Sequence, residues 1–253
     1  MAPGVVWYPS HGPKPDIYNC VSSMSSLVLI PGLLCDRRLW SDQTANLASL
    51  ADITIVDITR HSTISEMAST ILDESAEHFS LAGFSLGSQV ALEIMHAHPE
   101  RVERLALLSA THGGLLPSAE AAIRRAITTI EQEGLDRYLE EAYPTYVAAP
   151  RIEDKVLKRI FVDMAHAVGT EAGLRQMCAL LAIKTLFENL NQIHCPTVIV
   201  GGREDRRTTP EAHQLLKQEI PGSELVLVDD AAHFTPIEQP GVVTEVLRRW
   251  MTR

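Results

Sequence analysis

No apolar run in this sequence comes near the roughly 18 consecutive residues a membrane-spanning helix needs, so no membrane span is expected. Basic residues are also in deficit. Lysine and arginine number 22 against 32 aspartates and glutamates, a net charge of −10, and no basic run concentrates them. Such a chain is a poor partner for nucleic acid or for an anionic membrane surface. Cysteine is sparse: Cys20, Cys35, Cys178 and Cys195 stand far apart with no C-x-x-C pair. That argues against a disulfide framework and points to a reduced, cytoplasmic setting. There is no H-E-x-x-H, no clustered Cys/His set and no G-x-G-x-x-G after a strand, so neither a metal nor a nicotinamide or flavin cofactor is expected.

What is present is aliphatic. Of 253 residues, 45% are hydrophobic, enough for one sizeable core. Short, partly β-branched runs at 26–30, 52–58, 79–84, 104–110, 196–202 and 223–229 read as strands. Helical patterns fall between them at 38–50, 64–78, 86–99, 210–220 and 240–251. Unbroken apolar runs suit strands buried on both faces, so the expectation is an α/β fold with a mostly parallel, doubly wound sheet. The alternation stops between about 113 and 193, where the pattern is helical throughout. We therefore expect an α/β core made of 24–112 and 194–253, with a helical cap, 113–193, inserted before the acid-bearing strand described below. Residues 1–23 are rich in Pro, Gly and Ser without a signal-peptide pattern and read as a flexible extension, with Met24 a candidate start.

One short stretch carries chemistry. Gly83-Phe84-Ser85-Leu86-Gly87 follows a strand and opens a helix. A G-x-S-x-G match alone is weak, but this strand–turn–helix context is the one that displays a nucleophilic serine on a tight bend. The bend crowds the positions two before and two after Ser85, which glycine relieves. It also sets the Leu86 N–H at a helix N-terminus, where an anion is stabilised. A serine hydroxyl needs a base. Of ten histidines, His233 lies between the last strand and the last helix, at the sheet edge that presents Ser85. His112 also follows a strand end; His96 and His98 suit surface or packing roles. The base needs a carboxylate. Asp205 follows a strand in "GREDRRTTP"; Glu204 is its rival, and Asp229 and Asp230 would have to fold back on His233. A second oxyanion donor could come from the Leu33 N–H, just past the Pro31-Gly32 turn.

Together, "GFSLG", "GREDRRTTP", "AAHFTPIEQP", the order Ser–Asp–His and the helical insert resemble the α/β-hydrolase superfamily over about 26–251. Among its members, small bacterial enol-lactonases and carboxylesterases are the most similar in these features. The resemblance implies Ser85 as nucleophile, His233 as general base and then acid, Asp205 as its orienter, and the N–H groups of Leu33 and Leu86 as the oxyanion hole. It implies a small-molecule ester, thioester or lactone as substrate. Pro31 stands where many members have histidine, and Ala232 where many have glycine. The same triad serves acyl transfer, perhydrolysis, C–C hydrolysis or cyanohydrin cleavage elsewhere in the superfamily, and some relatives only bind ligands. The motifs do not specify the oligomeric state.

Overall fold

The structure, a computed structural model, describes residues 25–111, 117–183 and 189–252. The extension 1–23, Met24 and His112 lie outside these residues. The chain runs β1 (Ser25–Ile30), α1 (Ser41–Leu47), β2 (Ala51–Ile55), α2 (Ile64–Glu74), β3 (Phe79–Phe84), α3 (Leu86–Ala97) and β4 (Val102–Leu108). Four helices follow: α4 (Pro117–Glu133), α5 (Leu135–Tyr146), α6 (Lys155–Val168) and α7 (Thr170–Leu181). Strand β5 (Thr197–Gly202), α8 (Pro210–Glu219), β6 (Glu224–Val228), α9 (Thr235–Glu238) and α10 (Pro240–Met251) complete it.

The strands form one sheet in the order β2-β1-β3-β4-β5-β6, and every neighbouring pair is parallel. β3 and β5 are buried along their whole length, as their largely apolar sequences suit, whereas the edge strand β6 is only half-buried. Helices α1 and α10 pack on each other, as do α2 and α3.

The sequence reading overran at several edges, two of which have a plain local cause. Strand β2 stops at Ile55 rather than 58; Val56 still donates to the Leu29 carbonyl, but Asp57 then caps the Thr59 N–H and turns the chain. Helix α2 stops at Glu74 because Ser75 is extended.

The strand order reverses at β1. The chain moves from β1 to β2, then crosses back to β3 and continues to the far edge. In open α/β sheets the usual ligand position is at the carboxyl end of the strands beside such a reversal. The Pro31–Leu33 turn, after β1, and Ser85, after β3, stand at that end.

Candidate active site

Ser85 sits in a backbone conformation that side chains rarely adopt, φ 52° and ψ −112°. Such strain costs on the order of 1–3 kcal/mol and persists only where surroundings impose it. Here they do. The Ser85 N–H is tied to the Leu108 carbonyl at 2.9 Å, and the Ser88 N–H to the Ser85 carbonyl at 2.9 Å. A Cβ on Gly83 would lie 2.3 Å from the Gly87 carbonyl oxygen, so the predicted crowding across the bend is real. Gly87 has a second reason to be glycine: its Cβ would lie 2.4 Å from the Ile30 carbonyl oxygen, because α3 starts directly over the end of β1. Ser85 is half-exposed, while the residues on either side of it are buried.

The His233 ring lies between two partners. Its Nε2 is 2.9 Å from Ser85 Oγ, and its Nδ1 is 2.9 Å from Asp205 Oδ2. The loop that carries it passes over the end of β5 so closely that a Cβ on Gly202 would lie 2.1 Å from the Ala232 carbonyl oxygen. The backbone of His233 is held as well. Its N–H and that of Phe234 both donate to the Tyr146 carbonyl, at 3.0 and 3.1 Å. Its carbonyl accepts from Ser109 Oγ at 2.7 Å. Phe84 and Tyr146 flank the ring with centroids 5.3 Å away, leaving it 1% exposed.

Asp205 is 2% exposed yet has all its acceptor positions answered. Oδ1 accepts from the N–H groups of Arg207 and Thr208, at 2.8 and 3.0 Å. Oδ2 accepts from Thr208 Oγ1 at 2.5 Å and faces His233. Burial by itself would raise this carboxyl's pKa, but the His233 charge and these hydrogen bonds outweigh it and bring it down to about 2. The rival acids are engaged elsewhere. Glu204 accepts from the Ala149 N–H at 3.2 Å, Asp229 pairs with Arg203, and the exposed Asp230 turns the chain at φ 51°.

The two expected oxyanion donors, Leu33 and Leu86, follow β1 and β3 respectively. Leu86 opens α3, so its N–H has no acceptor inside the helix. Leu33 follows Gly32, whose own Cβ would lie 2.8 Å from the Phe84 ring, so the turn runs close over the residue before Ser85. Among the described residues, no group of three His, Cys, Asp or Glu side chains gathers as a metal site, and no helix is long and apolar enough to cross a membrane.

Several partners of the site were not legible in the sequence. Glu238 is buried, and its two oxygens accept from the Ala232 N–H at 2.9 Å and the Ala148 N–H at 2.7 Å. It fastens the His233 loop to the end of α5. Burial pushes its pKa up, against those donors. Its only signal was an acid five residues after His233 amid apolar and prolyl neighbours. Ser109, at a strand end, and Thr208, in the loop that carries Asp205, had none.

His213, on α8, is fully buried with its ring against Gly201. Burial disfavours the imidazolium and lowers its pKa from the ordinary 6.5, against the pull of the Asp205 charge. The folded chain therefore binds fewer protons here than the unfolded one. Its contribution to stability is complete above pH 6.5 and is lost as pH falls through the lowered folded value. His213→Leu removes this proton uptake, whose slope is at most ~1.4 kcal/mol per pH unit. Thermal melting followed from about pH 7.5 to 5 should decline more steeply for the wild type than for His213→Leu; parallel curves would contradict the assignment. Asp205 stays ionised over this range, and Glu238 is common to both proteins and cancels from the comparison.

The chain has known relatives in sequence and in fold. Residues 27–246 match the sequence model of the alpha/beta hydrolase family. A pimeloyl-(acyl-carrier protein) methyl ester esterase of Nitrosomonas europaea is 24% identical over 229 residues, covering 82% of this chain and 88% of that one. The enol-lactonase of Burkholderia xenovorans LB400 superposes with a TM-score of 0.83 at 21% identity, over 91% of this chain and 92% of its own. A thermophilic esterase of Thermogutta terrifontis gives 0.79 at 22% identity, over 91% and 90%. A parallel sheet with a serine elbow after β3, matched along nearly its whole length by one sequence model, leads to one conclusion: the chain belongs to the alpha/beta hydrolase family.

Proposed function

We propose that this chain is a serine hydrolase that cleaves a small-molecule carboxylic ester, thioester or lactone through an acyl-serine intermediate. One observation carries the reading: a single buried imidazole bridges the Ser85 hydroxyl and the Asp205 carboxylate, 2.9 Å from each. Asp205, ionised because its pKa is held at about 2, keeps the proton on Nδ1 and leaves the Nε2 lone pair facing Ser85. As Ser85 Oγ attacks the acyl carbon, its proton passes to Nε2. The carbonyl oxygen becomes an oxyanion between the N–H groups of Leu33 and Leu86, in line with the positive end of α3. His233 then returns the proton to the departing alcohol or thiol, leaving the acyl group on Ser85. Water, deprotonated by His233, attacks that ester and frees the acid.

Helices α4 to α7 are read as the cap over the carboxyl end of the sheet, where an insert can set the shape of a substrate pocket. Tyr146, at the end of α5, places its ring beside His233 and carries the Arg207 guanidinium 4.1 Å above its centroid. The relative from Nitrosomonas europaea, named for a methyl ester, favours an oxygen ester over the other substrate classes.

A fluorophosphonate probe tests the chemistry. It should add one phosphonyl group per chain, on Ser85, and block turnover of p-nitrophenyl acyl esters. A panel of acyl esters of graded length and several lactones then defines the acyl group. An unmodified chain that turns over none of them would overturn the reading.

A further inference from the structure

The turn after β1 contains a residue in the wrong conformation for its type. The Cys35 N–H closes it onto the Gly32 carbonyl at 3.1 Å, and Leu34 occupies its third position at φ 55°. That position of such a turn favours glycine or asparagine, and a leucine there is strained. The strain is held from outside. Gln176 on α7 is 0% exposed, and its Oε1 accepts the Leu34 N–H at 2.9 Å. Its Nε2 donates to the Ile58 carbonyl at 3.4 Å, so the amide spans the loops after β1 and β2. One turn earlier, α7 has Gly173, where a Cβ would lie 2.6 Å from Leu34 Cδ2. The Leu33 carbonyl is engaged too, by Cys35 Sγ at 3.3 Å. Both peptide groups that flank Leu33 are thus fixed, the first by Cys35 and the second by Gln176, and this sets the direction of the Leu33 N–H.

We propose that Gln176 is a positioning residue for the oxyanion hole: by holding Leu34 in its left-handed conformation, it aims the Leu33 N–H at the developing oxyanion. This rests on the hydrolase reading above. It makes α7 a part of the catalytic apparatus. Gln176 touches no reacting atom. Its effect is on a donor that matters in the transition state and little in the ground state, which gives a recognisable kinetic signature.

Gln176→Met keeps the side chain's length and removes its acceptor. Losing an oxyanion donor outright costs about 10²–10³ in kcat, and a misaimed one should cost less, about 10- to 100-fold. The KM for a p-nitrophenyl ester should stay within about threefold. Binding of a trifluoromethyl ketone, whose Ser85 adduct carries the oxyanion, should weaken by the same factor as kcat. Arg175→Ala is the control. It breaks the neighbouring bonds from α7 to the Thr59 carbonyl, at 3.0 and 3.2 Å, without touching Leu34. It should leave kcat within about threefold, since it alters no transition-state contact. Gln176→Leu takes the same test if the methionine variant does not fold. Unchanged kcat in the Gln176 variant, a rise in KM without loss of kcat, or an equal loss in Arg175→Ala would overturn the role of Gln176. A wild type that neither turns over esters nor binds the ketone would instead sink the hydrolase reading.

Discussion

Ser85→Ala is expected to lower turnover of a p-nitrophenyl acyl ester by at least about 10⁴-fold while the protein remains folded. The size follows from what is removed. Without Oγ no acyl-enzyme forms, and the two-step route closes. What remains is whatever the Leu33 and Leu86 N–H groups give to direct attack by water, and that residual is small. Folding is spared because, among the described residues, the side chain's one hydrogen bond is to His233 Nε2. The φ of 52° is a property of the backbone, imposed by Gly83 and Gly87 and by the bond to Leu108, and alanine meets the same strain as serine. Melting within a few degrees of wild type, no labelling by the fluorophosphonate and abolished turnover are the joint expectation. Turnover near the wild-type rate would reject Ser85 as the nucleophile.

Asp205→Asn should cost about 10⁴-fold in kcat/KM, and the hydrogen bonds around it explain why an isosteric change is so damaging. The Oδ1 position faces two N–H donors, from Arg207 and Thr208. An asparagine must place its carbonyl oxygen there, because its NH₂ would meet donors. Its nitrogen then occupies the Oδ2 position and donates to His233 Nδ1. The imidazole is forced into the other tautomer, with its proton on Nε2 pointing at Ser85 and no lone pair to accept the hydroxyl proton. Glu204→Gln serves as the comparison, since that carboxylate bonds the Ala149 N–H instead. It should keep activity within about threefold of wild type, having no bond to the base to lose. A mild effect of Asp205→Asn, or a large one of Glu204→Gln, would reverse the assignment. With its pKa at about 2, Asp205 stays ionised through mild acid, so any activity lost between neutral pH and about pH 4 is not due to its protonation.

The fold was legible in part because its signals are local. The aliphatic runs of β3 and β5 announced strands buried on both faces, and the proline at 240 marked the start of α10. The edges were less legible: β2 ends early because Asp57 turns the chain, and a single side-chain cap outweighs the apolar pattern that continues to Ile58. Around the site, Ser85 could be picked out because its elbow needs glycine at both ends. Glu238 could not be picked out, because nothing near it in the chain says that its carboxylate meets the N–H of Ala148, 90 residues away.

By itself, then, the sequence determined the strands, the serine's tight bend and the order in which serine, acid and histidine occur, since each follows from hydrophobic period or turn chemistry within a few residues. Only the tertiary structure decided which carboxylate faces His233, that an imidazole 148 residues from Ser85 reaches its hydroxyl, and that Gln176 holds Leu34 across 142 residues. A hydrogen bond is made or lost over less than an ångström, and distances that fine between remote segments are set by how the helices and loops pack on the sheet.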